Sequence, residues 1–218
     1  MRLIAKGEAS KELSKILSKW ENANPGGRYK DLDKSKEGKS IRQTIRQAAI
    51  KEQFGLCAYC CTQIDETNSN NEHLASQRAA PNRTLDFANI VASCATPKRC
   101  NQARGSRDLP LTPLMPECET ELNFRLSGKV KGETERAAKT IDILGLDTKA
   151  IREERKQLVD QWLFTEGALP DELQLLGDEL LSDLIADLKI PDESGQLPPF
   201  SPALVNIIQR IIGPAGTI

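Results

Sequence analysis

Two cysteine pairs bracket the chain's one histidine: Cys57-Ala-Tyr-Cys60 precedes His73, and Cys94 and Cys100 follow it. No other feature constrains the fold as strongly. Zinc in a structural site takes four soft or borderline ligands in a tetrahedron, and two cysteines a few residues apart supply two of them from one turn of chain. The second pair has five intervening residues, so it calls for a longer knuckle. His73 could replace one cysteine in a Cys3His site, but four well-placed cysteines make that unnecessary. Cys61 and Cys118 read as small buried apolar side chains.

Six cysteines in 218 residues would suit disulfides only in an oxidising compartment. Met1-Arg-Leu-Ile-Ala-Lys6 lacks the apolar core of a signal peptide, and no apolar run approaches the roughly 18 residues of a membrane span. A cytoplasmic, metal-binding chain is expected, with no membrane contact. The net charge of −1 hides a polarity, because residues 1–107 carry 19 basic against 11 acidic side chains and residues 108–218 carry 11 against 20. One half, at +8, suits a phosphate backbone; the other, at −9, does not. Lysines such as Lys34, Lys36 and Lys39 could equally solvate a loop.

Helical stripes flank a region without helical period. Leu13, Ile16, Leu17 and Trp20 form an apolar stripe that Asn24-Pro25-Gly26-Gly27 ends. After a basic loop, Ser40 is placed to cap a second helix whose Ile41, Ile45 and Ala48 face one way. Turn residues then dominate until Cys100, and Leu109 to Pro116, with three prolines, predicts a boundary or a wall of extended chain. Leu122, Phe124 and Leu126 alternate into a short strand ending at Ser127-Gly128. Further helices are predicted from Ala137, Ala138, Ile141 and Leu144 before a Gly145 C-cap; from Ile151, Leu158 and Trp162; from Leu173, Leu176, Leu180, Leu184 and Leu188; and from Ser201-Pro202 with Leu204, Ile208 and Ile211. There is no internal repeat and no low-complexity tract. Three segments result: 1–55 helical, 56–118 a metal core, and 119–218 acidic and mainly helical.

The chemistry concentrates between residues 57 and 107. A neutral imidazole accepts a proton from water near neutral pH, which makes His73 a candidate general base. Asn89 could orient it through its side-chain carbonyl. Phosphodiester hydrolysis also needs a cation where negative charge builds on the leaving oxygen, and Glu72 and Asn101 offer the hard oxygens that magnesium prefers. Adjacent residues on a regular strand point to opposite faces, so Glu72 and His73 share one site only if the backbone bulges or turns there. Arg78, Arg83, Lys98, Arg99, Arg104 and Arg107 are candidates to grip phosphates, or are simply solubilising charges.

The set Cys57-x2-Cys60, Glu72-His73, Asn89, Cys94 and Cys100-Asn101 resembles the HNH nuclease signature. The resemblance implies a ββα-metal (His-Me finger) fold, α+β in class, stapled by zinc and embedded in a mostly helical chain. It matches His73 to the water-activating histidine, Asn89 to the central asparagine that orients it, Asn101 to the third position that binds the divalent ion, and Glu72 to the acidic residue often found before the histidine. Lys6-Gly7-Glu8 with Leu13, the helix ending in Glu52-Gln53-Phe54-Gly55-Leu56-Cys57-Ala58-Tyr59-Cys60, Leu111-Thr112-Pro113, and Thr140 to Leu146 look like the HNH proteins of retron and Septu anti-phage defence systems, the PtuB-like group. Such proteins act beside an SMC-like or ABC-type ATPase. Arg104 stands where related motifs usually carry lysine, and Cys94-x5-Cys100 is wider than usual.

The expectation is a DNA endonuclease with structural zinc on Cys57, Cys60, Cys94 and Cys100 and catalytic magnesium or manganese on Glu72 and Asn101. From a different class, a non-catalytic zinc module that binds nucleic acid or a partner protein is the alternative.

Overall fold

The computed structural model describes residues 1–7, 9–163 and 177–212. Helix α1, Lys11–Ala23, is capped by Ser10, whose Oγ accepts from the Leu13 amide at 3.1 Å, and it buries Leu13, Leu17 and Trp20. Helix α2, Lys36–Glu52, starts earlier than expected, because Ser35 is the N-cap and accepts from the Gly38 amide, while Ser40 lies inside the helix. Gly38 permits that early start: a Cβ there would meet the Leu32 carbonyl oxygen at 2.1 Å. The buried face is Ile41, Ile45 and Ala49, with Ala48 only partly buried. A side chain of isoleucine size contributes about 1.5–3 kcal/mol when fully buried.

The stretch without helical period folds as two strands and a short helix. Strand β1, Ser69–His73, pairs antiparallel with β2, Ile90–Cys94, in an unbroken register from Ser69 opposite Cys94 to His73 opposite Ile90. Helix α3, Cys100–Arg104, follows. The proline-rich segment is the expected wall: Leu109 and Leu111 are buried, and the Ile4 amide donates to the Pro113 carbonyl at 2.7 Å.

The predicted strand at Leu122 is β3, Leu122–Phe124, but it turns at Gly128 and returns as β4, Val130–Gly132, leaving Leu126 in the turn. Helix α4, Glu135–Leu144, ends as predicted at Gly145, which lies in the left-handed region. Thr140 is buried on its inner face and Ala138 is exposed. Helix α5, Lys149–Leu163, turns Ile151, Arg155, Val159 and Leu163 inward, with Leu158 and Trp162 at the edge. Helix α6, Asp178–Asp187, buries Leu181; of the expected stripe Leu188 is buried just past its end and Leu184 packs against the core, whereas Leu180 is 56% exposed, and Leu173 and Leu176 lie outside the described residues. Helix α7, Ser201–Ile212, begins where predicted. The fold is mixed helix and sheet with two small antiparallel sheets, and one cluster of buried residues runs through it from Met1 to Ile208. No helix among the described residues is long and apolar enough to cross a membrane.

Candidate active site and metal centre

The cysteine pairs meet because the turn after α2 is tied to β2. Buried Gln53 donates through Nε2 to the carbonyls of Leu56 and Ala92, and its Oε1 accepts from the Ala92 amide at 2.7 Å. The Ala58 amide adds a bond to the same Ala92 carbonyl. Cys94 ends β2 and Cys100 begins α3, so the wide spacing is spanned by a knuckle in which Lys98 and Cys100 both adopt positive φ, 60° and 54°. Gly145 makes room for that knuckle against α4, since a Cβ there would sit 2.8 Å from the Lys98 carbonyl oxygen.

The four sulfurs of Cys57, Cys60, Cys94 and Cys100 are buried and lie within 4.8 Å of one another. Cys57–Cys100 and Cys60–Cys94 are each 3.8 Å. Zn–S bonds of about 2.3 Å place the corners of a tetrahedron about 3.8 Å apart, so the cluster fits zinc. Hydrogen bonds from Cys100, Cys57 and Cys60 push the Cys94 thiol well down, whereas burial drives Cys60 and Cys100 up. Four thiolates so close need a cation among them. Cys61 and Cys118 are buried and stand outside the cluster, as expected of small apolar side chains.

His73, at the end of β1, is 6% exposed. Its Nε2 lies 2.8 Å from the carbonyl oxygen of Thr84. A carbonyl only accepts, so Nε2 carries the proton and the lone pair of the neutral ring is on Nδ1. Nδ1 faces Gln77 Nε2 across a long 3.4 Å, and Gln77 is exposed. Burial lowers the His73 pKa; the Thr84 bond opposes this, and the nearby charges of Arg42 and Arg104 reinforce it.

The orienting bond expected from Asn89 is therefore made by Thr84. Asn89 acts one step away: its Oδ1 accepts from the Ala75 amide at 2.8 Å and its Nδ2 donates to the carbonyls of Ala75 and Arg83. It staples the loop from which Thr84 reaches the imidazole.

Glu72 points away from His73, as the continuous register requires. Its Oε1 accepts from Arg104 Nη1 at 2.6 Å and from the Tyr59 hydroxyl at 3.2 Å. Burial lifts the Glu72 carboxyl above its ordinary range, with Arg104 and Tyr59 opposing. The bulge that a shared metal site would need is absent from this strand, so Glu72 braces the hairpin where a magnesium ligand was expected. Asn101 differs. Its Oδ1 is buried with no hydrogen-bond partner, a hard oxygen left for a cation.

Arg104 is a correction as well. Only 1% exposed, it donates to Glu72, Tyr59, the His73 and Leu74 carbonyls and the Arg107 carbonyl, clamping α3 to the end of β1. Burial and these bonds close the side chain off from a phosphate. Arg99 is buried too and pairs with Glu154 of α5 at 2.7 Å. Arg104→Ala is expected to cost about 3–5 kcal/mol in chemical denaturation, because it strands a buried carboxylate, and pairing it with Glu72→Gln should restore part of that. A loss under about 1 kcal/mol, the level of a surface pair, would show that the clamp carries no weight.

Four of the expected phosphate cations remain exposed: Arg78, Arg83, Lys98 and Arg107. Arg83 pairs with Asp86, and Arg107 donates to the carbonyls of Ala103, Arg104 and Ile143 at the end of α3. Among the described residues Arg78 and Lys98 form no ion pair. Sequence reasoning missed Thr84, Gln53 and Tyr59. The first acts through its backbone, which no residue type advertises. Tyr59 lies inside the Cys57–Cys60 knuckle, where a hydroxyl-bearing residue was the available signal, and Gln53 lies four residues before it, where the C-terminal end of α2 gives no sign of its role.

No family model matches the chain. Over 138 residues, 57% of this chain and 67% of the other, it is 24% identical to a protein of Vibrio cholerae serotype O1 biovar El Tor named "Retron Vc95 putative HNH endonuclease". That likeness supports an HNH endonuclease at the level of the family.

Proposed function

We propose that the chain is a metal-dependent HNH endonuclease that hydrolyses DNA phosphodiester bonds. The carrying observation is the His73 imidazole, held by Thr84 so that its lone pair sits on Nδ1 beside an exposed, weakly attached Gln77. In this reading a water molecule replaces Gln77 against Nδ1. His73 takes its proton, the hydroxide attacks phosphorus, and the bond to the leaving oxygen breaks. Magnesium or manganese, held by Asn101, would neutralise charge on that oxygen. Zinc on the four cysteines fixes the β1–β2–α3 unit, whose order supports a ββα-metal core. Arg78 and Lys98, with Arg83 and Arg107, lie open to phosphates.

The depressed His73 pKa sets a pH dependence. A base must be neutral to act, so kcat/KM should stay flat from neutral pH down through 6.5, the ordinary imidazole value, and only then fall by about tenfold per unit. Stability follows the same sign: the contribution of the neutral ring is full above the unfolded value and is lost as pH drops from there toward the folded one. An acid limb above 6.5 would contradict the buried environment.

The retron name of the similar protein supports a defence role; an SMC- or ABC-type ATPase as partner is proposed on the motif resemblance alone. We place that partner on the acidic half, where α6 presents Asp183 and Asp187 beside exposed Leu180 and Ile190. Because α7 is part of the common core, charge reversal tests this better than truncation. Asp183→Lys with Asp187→Lys should lower co-purification with the ATPase while melting is unchanged; full retention refutes this surface.

The function itself is tested on the complex recovered from native cells, incubated with supercoiled plasmid and magnesium or manganese. Nicking that stops in EDTA and in His73→Gln is expected. A zinc-loaded complex that binds nucleic acid and never cuts it would favour the non-catalytic zinc module.

A further inference from the structure

The imidazole of His73 is braced by a residue outside the cysteine and histidine pattern. Tyr29 opens a short 3₁₀ turn, Tyr29–Lys34, ahead of α2 and is buried. Its ring and the imidazole form a T-shaped pair, with centroids 4.8 Å apart and planes at 80°. Its backbone amide donates to Thr84 Oγ1 at 3.3 Å, so one residue supports both the imidazole and the residue whose carbonyl receives Nε2–H. Tyr29 is held in turn. Its hydroxyl accepts from Asn71 Nδ2 at 2.7 Å and from Arg42 Nε at 3.1 Å, and the Arg42 guanidinium stacks 4.8 Å from the ring centroid. Asn71 and His73 are two apart on β1 and share a face, so Tyr29 lies across both.

We propose that Tyr29 is the positioning residue of His73, fixing the plane of the imidazole so that Nε2–H stays on Thr84 and Nδ1 stays turned to the substrate side. One hydrogen bond sets a distance and leaves the ring free to rotate about it. An aromatic ring packed perpendicular against the imidazole removes that freedom. Without the tyrosine ring, the imidazole gains rotamers in which either nitrogen carries the proton. The role rests on reading His73 as the proton acceptor, but it can be measured without cleavage.

The chain has one histidine, so a ¹H–¹⁵N spectrum of the imidazole shows one spin system. In the zinc-loaded protein it should report the Nε2–H tautomer with a narrow, single environment. Tyr29→Leu should give averaged tautomers, and Tyr29→Phe, which keeps the ring, should restore the wild-type pattern. In the nuclease assay Tyr29→Leu should lower kcat by roughly 10- to 100-fold with KM unchanged, the scale of loss when a reacting group is held out of line. Should Tyr29→Leu not fold, Tyr29→Met is read by the same spectrum. A folded Tyr29→Leu or Tyr29→Met protein with the wild-type tautomer overturns the proposal. So does a Tyr29→Phe protein that behaves like Tyr29→Leu in the spectrum. If the wild type shows the Nε2–H tautomer and never cleaves, the nuclease reading fails and the positioning of His73 stands.

Discussion

Removing zinc, by Cys57→Ser, Cys94→Ser or a strong chelator, is expected to unfold the β1–β2–α3 unit. The four sulfurs come from a turn, the end of β2 and the start of α3, and they meet in a buried cluster with spacing that matches a zinc tetrahedron. Structural zinc in small domains supplies an apparent 10–16 kcal/mol or so of binding free energy, more than the roughly 5–15 kcal/mol by which most domains are stable. The purified protein should carry about one zinc per chain. Cys61→Ser and Cys118→Ser should keep it, because neither sulfur belongs to the cluster. Metal analysis that finds a folded, zinc-free protein would sink the assignment.

His73→Ala should separate chemistry from structure. The imidazole is not among the clustered metal ligands, so zinc content should be unchanged. Some stability goes, about 1–3 kcal/mol, because the variant loses the bond to Thr84 and leaves a gap beside Tyr29. Cleavage should fall by roughly 10²–10⁴-fold, the usual contribution of a positioned base. His73→Gln, which fills more of the site, should show the same catalytic loss with a smaller shift in melting. Asn89→Ala should lose less activity, since it acts through the loop that carries Thr84, and Asn101→Ala should be partly rescued by more magnesium or manganese. A His73→Ala protein that cleaves at the wild-type rate, or that loses its zinc, ends the reading of His73 as base.

Local chemistry made part of this protein legible from its sequence. Cysteine softness and short spacing selected the four clustered ligands, because a knuckle is built within a few residues. The apolar stripe of α1, the Gly145 cap and the Ser201-Pro202 start of α7 were equally local. Where two signals competed, neighbouring backbone decided: Ser35 outranked Ser40 as a cap because Gly38 lets Leu32 cross the first turn.

The roles of the charged and polar side chains were settled only by the tertiary structure. Arg104 and Arg78 look alike in the sequence, yet one is closed in by β1 and the other is open to solvent, and burial turns the first from a phosphate cation into a clamp. Glu72 follows Arg104 for the same reason. His73 was visible as a candidate base, but what gives it direction is the Thr84 carbonyl and the Tyr29 ring, brought in from a later loop and an earlier turn. A hydrogen-bond partner is chosen by which groups packing places within 3 Å or so, and the sequence does not carry that distance between remote segments.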